Sequence, residues 1–191
     1  MHELNSSPLL TAEAFAELVR DDFDLQRAEL VRGQVEALEA PDLLHGAIVL
    51  NLTKAFAAYL HRAPDEQGYA CFEIGLIVAR EPDTVRRPAV SFFVGGERFA
   101  ELDHSVTQTR PALVVEIGST NGRRREMRDR VESYLNWGVR TVWVADTLDK
   151  AVHCIRAGQP PRIFSSRQSI PGSPVFADLK IAVKSLFEMP E

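Results

Sequence analysis

The run 112–117 is apolar except for Glu116, and it precedes the loop Gly118-Ser-Thr-Asn-Gly122. An uninterrupted apolar run of strand length is the pattern of a strand buried on both faces. A helical pattern follows over about 122–137, turning Met127, Val131, Tyr134 and Leu135 inward, and Gly138 suits the residue just past its end. A second apolar run occupies 140–145. A strand–helix–strand unit of this kind closes as a right-handed crossover between parallel strands. The unit 112–145 therefore predicts an α/β or α+β fold, with a central mixed β-sheet flanked by helices.

The rest of the chain fits around that unit. A short helix is predicted over 11–20, with Thr11 as N-cap and Phe15, Leu18 and Val19 apolar. Residues 27–38 read as two short strands joined by a tight turn at Arg32-Gly33. The strongest helical pattern covers 42–61, where Leu44, Ile48, Leu52, Ala55, Phe56 and Tyr59 share one face and Pro64 ends the run. One strand is expected over 69–79, a turn at Glu81-Pro-Asp83, and a strand at Val90–Val94. Further strands are expected at 140–145 and 150–156, with two short ones near 162–165 and 175–182. With no repeat, low-complexity tract or long linker, 1–191 reads as a single domain.

Composition narrows the class. A chain of 191 residues buries roughly 70% of its unfolded surface, so its core needs no metal or disulfide staples. No uninterrupted apolar run approaches the roughly 18 residues of a membrane span, and Met1 to Leu10 lack the pattern of a secretory signal. Cys71 and Cys154, each in an apolar stretch, read as free buried thiols of a reducing cytoplasm, with a single disulfide as the alternative. A net charge of −5 argues against strong nonspecific nucleic-acid binding. The charge is uneven, however: residues 1–45 hold ten acids and three arginines, while Arg123, Arg124, Arg125, Arg128 and Arg130 crowd one helix.

Glu116 is the most informative single residue. A carboxylate inside Leu-Val-Val-Glu-Ile is costly to bury unless it is paired, protonated or bound to a metal; the alternative is a strand-end acid that reaches solvent. Glu29, in Ala-Glu-Leu-Val, has a similar setting, with a surface acid as the blander reading. His45 on the helix 42–61 reads as a capping or packing residue. No zinc-type Cys/His spacing, Gly-rich phosphate loop or nucleophile elbow occurs.

Taken in order, several segments carry a resemblance. They are Glu29-Leu-Val-Arg-Gly33, His45, Arg87-Pro-Ala-Val90, Val115-Glu-Ile117 with Ser119-Thr-Asn121, Tyr134, Trp143-Val-Ala-Asp146, Ser173-Pro-Val-Phe-Ala-Asp-Leu179 and Leu186-Phe187. Their collinear order resembles the Uma-two family of restriction-endonuclease-like proteins, in the PD-(D/E)XK nuclease superfamily, over about 10–188. The resemblance implies a restriction-endonuclease-like core that brings Glu29, position 89 and Glu116 into one pocket. It also implies phosphodiester hydrolysis with Mg²⁺ held by carboxylates. Glu29 and Glu116 would be the metal ligands and His45 an auxiliary group.

Two departures qualify that picture. The aspartate of the family's Pro-Asp is Ala89 here, and its helix-borne lysine falls at Arg130. Two carboxylates hold Mg²⁺ poorly, and an arginine cannot give up its proton near neutral pH. The expectation is a degenerate metal site in a catalytically weak or inactive protein that acts as a binding or interaction module. The alternatives are an active Mg²⁺-dependent DNA endonuclease with a migrated ligand, Glu73 or Asp83, and a structural homo-oligomer. Weak DNA binding with phosphate contacts from Arg123 and Arg125, and a cytoplasmic homodimer, complete the expectation.

Overall fold

The computed structural model describes residues 8–22, 25, 27–63, 68–95, 105–172 and 174–190. The expected helix stop at Pro64, the first seven residues and Ser173 lie outside them.

Helix α1 (Ala12–Asp21) begins where Thr11 accepts the Ala14 N–H, 3.2 Å away. Strands β1 (Ala28–Val31) and β2 (Gln34–Ala37) form the expected hairpin, its turn made by Arg32 and Gly33, both at positive φ. Helix α2 (Leu43–Arg62) is capped by Asp42. Then come β3 (Gly68–Phe72), β4 (Gly75–Ala79), β5 (Thr84–Arg86), β6 (Val90–Val94) and β7 (Val106–Thr107). The central unit is β8 (Leu113–Gly118), α3 (Asn121–Trp137) and β9 (Thr141–Asp146), followed by β10 (Ala151–Arg156) and β11 (Arg162–Phe164). Strands β12 (Ser169–Pro171) and β13 (Lys180–Ala182) and the short helix α4 (Val183–Leu186) make the tail.

These strands form two principal sheets, where one central sheet was expected. A mixed sheet of six runs β11-β10-β9-β8-β6-β3, with β8 and β9 parallel as the crossover unit requires. A second sheet of five runs β2-β1-β5-β4-β7. The predicted single strand 69–79 is in fact two strands in different sheets. The chain breaks at Glu73, whose φ of 50° lies in the left-handed region and ends the extended run. The predicted strand near 175–182 shrinks to β13, and β5, β7 and β12 go unforeseen because each is only two or three residues long.

Alternation along β8 and β9 divides the core in two. Leu113, Val115, Ile117, Trp143 and Ala145 pack on one side with Ile48, Leu52 and Phe56 of α2. There Phe92 and Phe176 meet edge to face, ring centroids 4.5 Å apart. Val114, Val142 and Val144 face the other way, toward Val131 and Tyr134 of α3 and Leu76 and Val78 of β4. Helix α3 is thus held between the two sheets. A third apolar cluster joins Phe15 and Val19 of α1 to Leu30 and Val85. Among the described helices α2, at 20 residues, is long and apolar enough to match a membrane span by length and composition, although its apolar run is broken by His45, Asn51 and Lys54. No disulfide joins Cys71 to Cys154; Cys154 is buried, which pushes its thiol up to about 12, whereas Cys71 is only half-buried.

Helix α3 is pinned at both ends. Thr120 accepts the Arg123 N–H, and Gly138, at φ 104°, donates its N–H back to Tyr134 and Leu135 carbonyls. A methyl group at Gly138 would meet only the Arg110 side chain at ordinary contact distance, so the cost of adding one is conformational. Gly138→Ala is expected to lower stability by about 1 kcal/mol, read as a lower urea midpoint with an unchanged slope.

Candidate functional site

Glu116 sits mid-strand on β8. Alternation puts it on the same side as Val114, beneath α3, so it is fully buried and does not reach solvent at a strand end. Glu29 is buried on β1 in the other sheet. On α3, Met127, Arg130 and Tyr134 lie three and four residues apart and therefore share a face. Arg130 is 0% exposed, among the largest fully buried side chains of the described chain.

One guanidinium joins both acids. Arg130 Nη1 and Nη2 donate to Glu29 Oε2 and Oε1 at 2.7 and 2.8 Å, a bidentate fork. Its Nε and Nη2 lie 3.0 and 2.9 Å from Glu116 Oε1. Nη2 also reaches the Arg87 carbonyl at 3.2 Å. Glu29 is further held by Arg86 Nη1 at 2.9 Å and by the Arg87 backbone N–H. Tyr134 donates its hydroxyl to Glu116 Oε1 at 2.6 Å. Glu116 Oε2 is the exception: it is buried with no hydrogen-bond partner.

Burial works against ionisation of Glu29, but Arg130, then Arg86 and the Arg87 N–H, more than offset it and hold the carboxyl below its usual range. Burial likewise opposes charge on Arg130, and Glu116, Tyr134 and Glu29 overcome it, so the guanidinium stays charged far above its ordinary value. Tyr134 is driven well up, first by burial and then by Glu116. Its hydroxyl therefore remains a donor across the physiological range.

The other residues singled out from the sequence take different places. His45 is buried at the start of α2, where its backbone N–H caps onto Asp42 and its Nδ1 lies 3.5 Å from Ser119 Oγ. Burial and then the Arg123 charge lower its pKa, against smaller opposing effects of Glu73 and Asp42. Ala89 is buried within the apolar cluster beside α2. Asp83 is turned to other work: its oxygens accept the Ala12 N–H at 2.7 Å, Arg80 at 2.8 Å and the Glu81 N–H. Glu73 is exposed on the rim of a groove that it shares with Arg87 and Arg27. Arg123 and Arg125 part company, Arg123 buried and Arg125 exposed. Sequence reasoning missed Arg86 as a partner of Glu29. The available signal was a charged residue inside the short extended run Thr84-Val-Arg86.

A hard divalent cation needs several oxygen donors with lone pairs free to point at it. Both Glu29 oxygens face guanidinium or backbone donors, and Glu116 Oε1 is shared by Arg130 and Tyr134. Among these oxygens Glu116 Oε2 is uncommitted, and no cluster of three potential ligands occurs among the described residues. The donor set as arranged does not fit Mg²⁺, because the space between the acids is filled by a cation of the chain's own.

Removing one partner of a buried ion network leaves charge uncompensated. Arg130→Met should therefore lower stability at pH 7 by about 3–5 kcal/mol. Glu29, with its carboxyl depressed, contributes stability that is present above about pH 4.3 and lost as pH falls through its folded value. The gap between wild type and variant should hence narrow as the pH falls below about 4. Urea unfolding at several pH values checks this; a gap independent of pH would mean that Arg130 acts by packing alone.

Among solved structures, the crystal structure of a "putative nuclease belonging to DUF820" from Anabaena variabilis matches with a TM-score of 0.75 at 18% identity, covering 93% of this chain and 97% of that one. At that identity the likeness speaks for the fold. A search of the curated proteins finds no match. The model of the Uma2 family, described as "Putative restriction endonuclease", matches residues 12–184. With nearly the whole chain matched, and the nuclease-like fold alongside, this protein belongs to the Uma2 family.

Proposed function

We propose that this chain is a nuclease-fold protein whose metal centre has given way to an internal guanidinium, and that it binds its partner without cleaving it. The observation that carries this reading is Arg130, set between Glu29 and Glu116 within 3.0 Å of both. In a metal-dependent hydrolase of this kind the cation polarises the phosphate and generates the attacking hydroxide from bound water. A guanidinium supplies charge and a directional fork of donors, but it carries no exchangeable water ligand and does not act as a base near neutral pH.

Ala89 adds to the argument. The family pattern quoted above has an aspartate there, and a buried methyl group among apolar neighbours offers no oxygen. The competing reading, an active enzyme with a migrated acid, finds little to support it. Asp83 is committed to the start of α1 and to Arg80, and Glu73 is exposed on the groove rim.

Calorimetric titration of the wild-type protein with Mn²⁺ or Mg²⁺ is expected to give no binding heat below about millimolar concentration, and plasmid DNA should survive incubation with either ion. Ala89→Asp combined with Arg130→Lys should restore metal binding. The change at position 89 should contribute more, because it adds a ligand charge, while the lysine frees lone pairs on Glu29. Cleavage of DNA by the wild type with Mg²⁺, abolished by Glu116→Gln, would overturn the reading.

A further inference from the structure

A groove of about 810 Å³ is lined in part by Arg87, whose backbone N–H holds Glu29. Arg27, Leu38, Glu73 and Arg87 line both this groove and a small inner recess, of about 10 Å³, whose wall is completed by Arg123 and Glu39. A recess of that size holds about one oxygen-sized group.

Arg123 is the anomaly. It is 4% exposed, and its Nε and Nη1 are buried without a hydrogen-bond partner. A buried guanidinium with two nitrogens left without a hydrogen-bond partner is costly and calls for an anion. The adjoining N-terminus of α3 already holds one from the chain itself. Glu39 accepts the Gly122 N–H at 3.2 Å, and the Thr120 hydroxyl and then the Gly122 N–H keep its carboxyl below the ordinary range. The approach is so close that a Cβ at Gly122 would lie 2.6 Å from Glu39 Oε1. Around the recess, the three guanidiniums of Arg27, Arg87 and Arg123 face the two carboxylates of Glu39 and Glu73. The balance favours an anion, the reverse of a metal site.

We propose that the groove binds a nucleoside phosphate monoester, one phosphate oxygen entering the recess against Arg123 while the remaining oxygens meet Arg87 and Arg27. Guanidinium forks suit phosphate oxygens better than point charges do. The groove's volume lies in the range of small-molecule sites, far more than a bare phosphate fills. Phe72, 44% exposed on its wall, offers a ring face on which a base stacks. The phosphate comes either from a free mononucleotide or from the phosphorylated end of a nucleic-acid strand. Glu39, as a built-in competitor, weakens the site.

The proposal deepens the binding role argued above and rests on it, yet the two fail separately. Metal titration reads the Arg130 bridge, whereas the following assay runs in EDTA and reads phosphate alone. Fluorescence anisotropy should show a 5′-phosphorylated short DNA strand binding at least roughly tenfold tighter than the same strand without its phosphate. Arg123→Met should abolish that difference while leaving the thermal midpoint unchanged or raised, since it removes a buried cation with two unsatisfied nitrogens. Glu39→Gln should increase the affinity several-fold. Displacement by dAMP assigns the site to mononucleotides; failure of dAMP where the strand binds assigns it to strand ends. Equal binding of the two strands, or a phosphate preference that survives Arg123→Met, would overturn the proposal. Should Arg123→Met not fold, Glu39→Gln decides, and an affinity that does not rise overturns it.

Discussion

A guanidinium buried between two carboxylates is the constraint around which the rest of this fold is organised. Arg130, Glu29 and Glu116 come from a helix and two different sheets, and none of the three has access to water. Any one of them alone in that interior would be strongly destabilising; together, with Arg86 as a second cation, their formal charges cancel. The network therefore fixes where α3 lies along its own axis. The Thr120 cap and the Gly138 terminus set that position from the helix ends, and the Arg130 fork sets it from the middle. Through Glu29 the same network ties β1 to β5, because the Arg86 side chain and the Arg87 N–H meet the carboxylate that Arg130 holds.

Much of this was legible in the residues. An acid within an apolar strand marked Glu116 as either a buried carboxyl needing a partner, proton or metal or a strand-end acid reaching solvent, and the strand–helix–strand unit announced the parallel pair β8 and β9. The inward face of α3 was marked by Met127, Val131 and Tyr134, and Arg130 falls on that face. What the pattern did not disclose was that the arginine at that position is itself the partner of both acids. Spacing along one helix carries no information about a strand a hundred residues earlier. The two-sheet arrangement was hidden for a local reason. Residues 69–79 are mostly apolar and read as one strand, and only the left-handed backbone at Glu73 divides them. Asp83 and Glu73 looked equivalent as nearby acids; hydrogen bonding to α1 separates them.

The chemical consequence follows from the difference between a hard cation and a planar one. Mg²⁺ gathers oxygens around a point and keeps water in its shell. The Arg130 guanidinium instead meets two carboxylates with a planar fork of N–H donors. In the proposed reading the positive charge of the site has moved from an exchangeable ion to the chain itself. In the same reading Arg123, with two buried nitrogens lacking a hydrogen-bond partner, turns the recess and its groove toward anions. Family membership alone does not decide between hydrolysis and binding.

The most direct test of what occupies the space between Glu29 and Glu116 is anomalous diffraction from crystals grown in Mn²⁺. The account predicts no manganese peak between Glu29 and Glu116, with Arg130 bidentate on Glu29 and its Nε and Nη2 against Glu116 Oε1. A manganese peak bonded to both carboxylates, with the Arg130 side chain displaced from them, would contradict it.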